Sequence, residues 1–135
     1  MNKNNNSIEL KQLKTLTECK TGYIDINKYM INLKKLKNSI EQKIIFKDQI
    51  KMYKALADKN RLLIFNMLLE NEEMCICEFS IALEKTQPTI SHHIQKLEEA
   101  DLIEGIKRGK FIHYRIKKET AEKMFQQLRE ILYLI

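Results

Sequence analysis

Two cysteines separated by one residue, Cys75 and Cys77, carry the side chains in this sequence best suited to bind a soft ion. They lie where a short helix is predicted to begin, and the free N–H groups and dipole at a helix N-terminus lower the pKa of a thiol. Thiolates select soft ions such as trivalent arsenic, cadmium, lead, copper(I) and zinc. Two sulfurs make an incomplete site, and Cys19 is the obvious third ligand. The alternative is that Cys75 and Cys77 are small buried core residues.

A second group of candidate residues lies on a helix predicted over residues 88–100. Thr86 and Pro88 mark its start, and its apolar face consists of Ile90, Ile94 and Leu97. Short polar side chains near a helix N-terminus suit contacts with the phosphates and base edges of DNA. The residues predicted to contact DNA are Gln87, Thr89, Ser91, His92, Gln95 and Lys96. His93 lies at the edge of the apolar face, where we expect a packed, hydrogen-bonded histidine. A plain solvated helix face is the alternative.

A basic turn, Lys107-Arg108-Gly109-Lys110, separates two segments that have the pattern of β-strands, residues 103–106 and 111–116. The glycine can take a positive φ, so the pattern predicts a β-hairpin. A narrow basic turn can enter a minor groove or lie along phosphates. Arg108 and Lys110 are therefore predicted DNA contacts. The alternative is that the charged residues only keep the turn soluble.

Apolar periodicity divides the rest of the chain into helices. Residues 1–7 are polar and are predicted to be disordered, and Thr21 and Gly22 are predicted to break the chain after the first helix. Helices are predicted over residues 8–16, 26–48, 52–70, 77–84, 88–100 and in the final segment. Two short helices joined by a tight turn and followed by a hairpin form a winged helix-turn-helix. The predicted fold class is mainly α with a small β-hairpin.

Two apolar helix faces exceed what one small core needs. They consist of Met30, Leu33, Leu36 and Ile40 in the N-terminal region, and of Met124, Phe125, Leu128 and Leu132 near the C-terminus. Surplus faces of this kind pair with a second copy, so the N- and C-terminal helices are predicted to form a homodimer. The domain prediction is a basic helical extension over residues 1–50 and a winged helix-turn-helix domain with its C-terminal dimerisation helix over 51–135.

The charge distribution indicates the class of partner. The 135-residue chain has a formal net charge of +6, and residues 1–51 hold 11 lysines against 5 acidic residues. A basic protein of this size suggests a polyanion partner, with nucleic acid first and an anionic membrane second. The chain has no transmembrane stretch and no signal peptide at its polar start, which predicts a cytoplasmic protein without a membrane partner. It also lacks a Gly-rich phosphate loop, Gly-x-Ser-x-Gly and Cys-x-x-Cys, so an enzyme is not expected.

Four segments resemble the arsenic-repressor (ArsR) winged-helix family. Residues 53–61 (YKALADKNR) resemble the family's "ALADPTR" opening, and residues 74–79 (MCICEF) resemble "LCVCDL". Residues 87–103 resemble "QPTVSHHLKVLREAGLV", and residues 108–114 (RGKFIHY) resemble the wing "RGRWVYY". The resemblance covers about residues 52–118, in the family's order and spacing, and leaves the basic N-terminal region unexplained.

The resemblance implies a homodimeric repressor that binds a double-stranded DNA operator and is released by a metal or metalloid ion. Arsenite, cadmium, lead and zinc are the inducers considered. The family's arsenite-sensing branch has Cys-x-Cys-x-x-Cys here, whereas this chain has Ser80 at the third position. The cadmium-sensing branch joins an N-terminal thiol to the Cys-x-Cys pair, which implies the same role for Cys19. A second family site, with carboxylate and histidine ligands on the last helix, is not expected because residues 117–135 contain no His and no Asp.

Two other interpretations remain open from the sequence. In one, the protein is a winged-helix DNA-binding regulator whose cysteines are structural or redox-active, and no metal acts as inducer. In the other, it is a basic interaction module whose residues 1–51 bind a protein or RNA.

Overall fold

The computed structural model describes residues 3–19, 22 and 25–134. The chain forms two compact units, Met1–Phe46 and Lys47–Ile135. None of the described helices is long and apolar enough to cross a membrane.

The first helix, α1, covers Lys3–Cys19. The prediction of a disordered tail is therefore wrong for residues 3–7, while residues 1 and 2 lie outside the described part of the chain. Helix formation costs most at the first turn, so polar residues next to a formed turn extend it at low cost. Gly22 has a φ of +101°, in the left-handed region, and follows the end of this helix. Thr21, the other residue of the predicted break, lies outside the described residues.

Helix α2 covers Ile26–Glu41 and begins at Asp25, whose carboxylate accepts a hydrogen bond of 3.0 Å from the main-chain N–H of Lys28. Helix α3 covers Ile44–Leu56, so the prediction of one helix from residue 26 to about 48 is wrong. Ile40 and Ile44 are four residues apart, and the apolar stripe therefore continues across the break without revealing it.

Helix α4 covers Lys59–Glu70, so the helix predicted over residues 52–70 is two helices. Asp58 caps α4 by accepting a hydrogen bond of 3.0 Å from the main-chain N–H of Arg61. Arg61 in turn donates from Nε to the carbonyl oxygen of Ala55 at 2.6 Å, near the end of α3. These two side chains fix the break between α3 and α4, because each satisfies main-chain groups that a helix end leaves free.

The remaining elements form the winged helix-turn-helix. They are β1 (Met74–Cys75), α5 (Ile76–Leu83), α6 (Gln87–Glu99), β2 (Ile103–Arg108), β3 (Phe111–Ile116) and α7 (Lys118–Tyr133). The three strands form one antiparallel sheet in the order β1-β3-β2. Strand β1 was not predicted, because two residues are too few to show a periodicity. It pairs Met74 with Tyr114 and Cys75 with His113.

The core lies between α3, α4, α5, α6, α7 and the inner face of the sheet. Its fully buried side chains are Phe79, Ile64, Ile90, Ile94, Leu97 and Leu102. An amphipathic pattern over residues 52–70 would also bury Tyr53 and Leu63, but these side chains are 41% and 43% exposed. Because the chain breaks at residues 57 and 58, α3 and α4 turn different faces inward. Met52, Ala55 and Phe65 are buried instead.

Gly105 and Gly109 shape the hairpin in different ways. Gly109 has a φ of +63° in the turn between β2 and β3, as the sequence predicted. Gly105 lies in β2 opposite Tyr114, and a Cβ there would lie 2.8 Å from Ile112 Cγ2 and 3.3 Å from the Tyr114 ring. The hairpin therefore needs a glycine at 105 because two side chains of β3 approach its backbone closely.

Candidate nucleic-acid interface and thiol pair

The turn between α5 and α6 is held by one serine. Ser80 Oγ donates a hydrogen bond of 2.5 Å to the carbonyl oxygen of Lys85, and the Lys85 N–H donates to the carbonyl oxygen of Ser80 at 3.2 Å. Glu84, between them, has a φ of +54°, which ends α5. Ser80 stands where the arsenite-sensing pattern has its third cysteine, and its hydroxyl fixes the approach to α6.

Helix α6 has one buried and one exposed face. Its buried residues are Ile90, His93, Ile94 and Leu97. The six α6 residues predicted to contact DNA are all exposed: Gln87, Thr89, Ser91, His92, Gln95 and Lys96. The hydroxyl groups of Thr86 and Thr89 are 2.9 Å apart at the start of the helix. The fold therefore leaves this polar face exposed.

Glu99 neutralises part of this polar face. It accepts a hydrogen bond of 3.1 Å from Gln95 Nε2, and its other carboxylate oxygen lies 3.6 Å from Lys96 Nζ. An exposed pair of this kind contributes little to stability. Gln95 and Lys96 can therefore exchange Glu99 for a phosphate or a base edge.

His93 is packed as predicted, but its hydrogen bonding differs from the prediction. The residue is 9% exposed, and its Nδ1 makes no hydrogen bond within the described residues. Asp58 Oδ1, at the cap of α4, is 3.9 Å from this nitrogen. Burial lowers the pKa of His93, and the Asp58 carboxylate opposes that shift without cancelling it. His93 thus anchors α6 to α4 mainly as a neutral, packed ring.

The wing tip holds one basic side chain in a defined pair. Lys110 is exposed in the turn beside Gly109. Arg108 is also exposed, but it binds Glu73 through two bonds, Nη2 to Oε1 at 2.8 Å and Nε to Oε2 at 3.3 Å. His113 Nδ1 lies 3.9 Å from the same carboxylate. The hydrogen bond from Arg108 lowers the pKa of Glu73. Nothing in the local sequence signals this pair, since its two residues are 35 positions apart.

Cys75 and Cys77 lie side by side at the junction of β1 and α5. Both are partly buried, and their thiols are close enough to interact. Cys75 caps α5 in a capping box with Glu78, whose carboxylate accepts a hydrogen bond of 3.1 Å from the Cys75 N–H. Burial raises the pKa of Cys75, so the predicted lowering by the helix N-terminus is wrong for this residue. The main-chain N–H of Glu78 lowers the pKa but does not offset the loss of water.

The described residues contain no ready-made metal site. No three His, Cys, Asp or Glu side chains among them are grouped so that they could hold an ion. Cys19 is a free, exposed thiol at the last residue of α1. Cys75 and Cys77 thus place two potential soft ligands together, without a third ligand grouped with them among the described residues.

Comparison with known proteins identifies the family. The family model described as "Bacterial regulatory protein, arsR family" matches residues 58–104. The chain is 43% identical over 67 residues to the arsenical resistance operon repressor of Escherichia coli (strain K12), a match that covers 50% of this chain and 57% of that protein. It is 32% identical over 88 residues to a cadmium resistance transcriptional regulatory protein (CadC) homolog of Staphylococcus aureus, covering 62% and 73%. The chain belongs to the arsR family.

A solved structure supports the same conclusion for the fold. A homodimeric winged helix-turn-helix DNA-binding domain from Mycobacterium bovis, described as a possible ArsR-family regulator, matches with a TM-score of 0.53 and 25% identity. The match covers 64% of this chain and 79% of that one. The predicted fold class and family resemblance are confirmed. An arsR-family chain is a DNA-binding transcriptional regulator and not an enzyme, so membership also favours DNA over the protein or RNA partner considered from the sequence.

Proposed function

We propose that this chain is a homodimeric repressor that binds a palindromic operator through α6 and the wing. In this proposal, the repressor leaves the operator when Cys75 and Cys77 capture a soft metal or metalloid ion. The observation that carries DNA binding is the exposed polar face of α6 beside a basic hairpin. The proposed contacts are Gln87, Thr89, Ser91, His92, Gln95 and Lys96 on α6, with Arg108 and Lys110 on the wing.

The dimer is supported by apolar side chains that the described residues leave exposed on α2 and α7. They are Leu33, Leu36 and Ile40 on α2, and Phe125, Leu128 and Leu132 on α7. Met124 was also predicted for this face, but it is 5% exposed and belongs to the chain's own core. The similar domain from Mycobacterium bovis is homodimeric. We also propose that residues 1–50 form a basic extension and residues 51–135 a DNA-binding domain.

Ion sensing is supported by the position of the thiols and by the names of the relatives. Cys75 ends β1 and caps α5, so a ligand that pulls on its sulfur acts directly on the helix that precedes α6. Two recognition helices must lie about 34 Å apart to enter successive major grooves, and a small tilt spoils that spacing. The similar proteins are named for arsenical and cadmium resistance. Arsenite, cadmium, lead and zinc are the ions we propose, with Cys19 as the third ligand.

A second function is that the cysteines serve the fold and another signal regulates DNA binding; the capping box supports it for Cys75. A side chain that already caps a helix has a structural role without any ion. Serine is a strong helix cap and a poor ligand for soft ions. Substitution by serine therefore separates the two functions.

The operator is first isolated by selecting bound duplexes from a random pool. Each ion is then titrated into the complex of the protein with this labelled duplex, and release of the duplex is measured. Cys75→Ser and Cys77→Ser should each bind the duplex like the unsubstituted protein but no longer release it with the ion. Cys19→Ser should weaken the response if the N-terminal thiol is the third ligand. If all three variants respond to the ion like the unsubstituted protein, the thiols are not the sensor and the capping function stands.

A further inference from the structure

Arg108, at the wing tip, is held by a carboxylate that competes with DNA. Glu73 binds its guanidinium through both carboxylate oxygens, at 2.8 Å and 3.3 Å. This two-point geometry is the one in which arginine recognises a phosphate, so the same face of the guanidinium cannot bind both partners at once. Within the described residues, Lys107 and Lys110 have no ion-pair partner.

The backbone holds Glu73 in place. The residue directly precedes β1, and β1 pairs with the wing strand β3 through Met74 and Cys75. Glu73 therefore moves with the wing and stays within reach of Arg108. The side chain of Glu73 is 28% exposed and that of Arg108 56%, so the pair lies at the surface, where a duplex can replace the carboxylate.

We infer that Glu73 acts as an internal substitute for a DNA phosphate and thereby weakens the contact between the wing and the duplex. This inference rests on the proposed contact between Arg108 and DNA. In the free protein Arg108 is neutralised by Glu73, and on binding DNA the carboxylate must release the guanidinium. Glu73 thus sets the strength of the wing contact without touching the DNA itself.

A second ion pair on the same face of the sheet provides a matched control. Arg115 Nε donates to Glu104 Oε1 at 2.8 Å, also between exposed side chains. Arg108 is four residues further along β2 than Glu104, a distance of about 13 Å towards the tip. Glu104→Gln therefore changes the net charge by the same amount as Glu73→Gln. It frees Arg115, which lies away from the turn.

The experiment measures binding of a fluorescein-labelled 40-bp duplex of mixed sequence by anisotropy, at several KCl concentrations. The variants are Glu73→Gln, Arg108→Ala, the double variant Glu73→Gln/Arg108→Ala, and Glu104→Gln. Glu73→Gln should tighten binding by about two- to fivefold, the range expected when an exposed ion pair no longer competes. It should also steepen the slope of log affinity against log KCl concentration, by up to about one unit. The reason is that Arg108 reaches a phosphate without first leaving Glu73. Glu104→Gln should show a smaller change, and the double variant should bind like Arg108→Ala.

The control variants make the outcomes distinguishable. Weaker binding by Glu73→Gln would show that the carboxylate positions Arg108 for DNA and would overturn the inference. The inference would also be overturned if Glu104→Gln tightened binding as much as Glu73→Gln, or if the double variant bound more tightly than Arg108→Ala. Either result would show that only the net charge matters. If Arg108→Ala binds like the unsubstituted protein, the proposed Arg108 contact itself fails, and the inference fails with it. A thermal melt of each variant checks that the fold is intact.

Discussion

Helix α6 and the wing, the two regions proposed to contact DNA, both carry basic and polar groups. The acidic residues that pair with these groups lie at different distances along the chain. On α6, Glu99 pairs with Gln95 and Lys96, which lie within one turn of the same helix. At the wing, Arg108 pairs with Glu73, which is 35 positions earlier in the chain. The helix face is therefore a local property of the sequence, whereas the charge at the wing tip depends on the fold.

This difference leads us to expect that α6 sets sequence specificity and that the wing sets overall affinity for DNA. Base edges in the major groove carry sequence information, and phosphates fix position without carrying it directly. We expect changes on α6 to alter which sequence is bound. Changes at the wing should alter how tightly any duplex is bound.

The largest effect on DNA binding is expected from Ser91→Ala combined with His92→Ala on α6. Both side chains are exposed, so no cavity forms and the fold should be unchanged. Loss of one good base contact costs about 1–3 kcal/mol of discrimination. Anisotropy with a selected operator and an unrelated duplex should show a loss confined to the operator. Glu70→Ala, at the end of α4, is the control. An unchanged operator affinity in the double variant would show that this face of α6 does not read bases.

The wing should be disturbed separately by Gly105→Ala. The new Cβ would lie 2.8 Å from Ile112 Cγ2, and overpacking of this kind costs about 1–3 kcal/mol. Urea unfolding should show the loss of stability. In the fraction that remains folded, the affinity for the operator and for an unrelated duplex should fall by the same factor. The preference for the operator should therefore be kept. If binding to both duplexes weakens equally and the preference is kept, the wing contact is confirmed as non-specific. If the preference disappears, the division between helix and wing is wrong.

The smallest effect is a pH dependence of stability that arises from His93. Burial holds the pKa of His93 below its ordinary value of 6.5, so the unfolded chain takes up a proton at a higher pH than the folded one. The free energy of unfolding should therefore fall as the pH is lowered from about 7.5 through 6.5 towards 5.5. Urea unfolding of His93→Gln should lose this component, whereas His92→Gln, at an exposed neighbour, should keep it. Equal slopes in all three proteins would show that His93 does not titrate differently on folding.

The sequence predicted the parts of the fold that depend on local pattern. The apolar spacing of Ile90, Ile94 and Leu97 placed the buried face of α6, and Gly109 marked the hairpin turn. The predictions failed where a break carries no local signal, as between α2 and α3, or where a contact joins distant segments. Strand β1 exists because β3 is available to pair with it, and Gly105 is required because Tyr114 and Ile112 lie against it.

The candidate site divides in the same way. Exposure of the six α6 residues followed from helix periodicity. The raised pKa of Cys75 depends on burial that the neighbouring elements create, which outweighs the helix N-terminus that the sequence could indicate. The partner of Arg108 likewise depends on the pairing of β1 with β3. Residue type and spacing therefore predicted which side chains take part, but not the electrostatic environment of each.

Selection of bound duplexes from a random pool tests the central claim, that two copies of α6 read DNA in successive major grooves. We expect enrichment of an inverted repeat whose half-sites are centred about 10 bp apart. The enriched sequence should be bound more tightly than an unrelated duplex of equal length at the same salt concentration. Ser91→Ala/His92→Ala should reduce this preference. Recovery of no common sequence, or of a single site without a repeat, would contradict recognition by a dimer through α6.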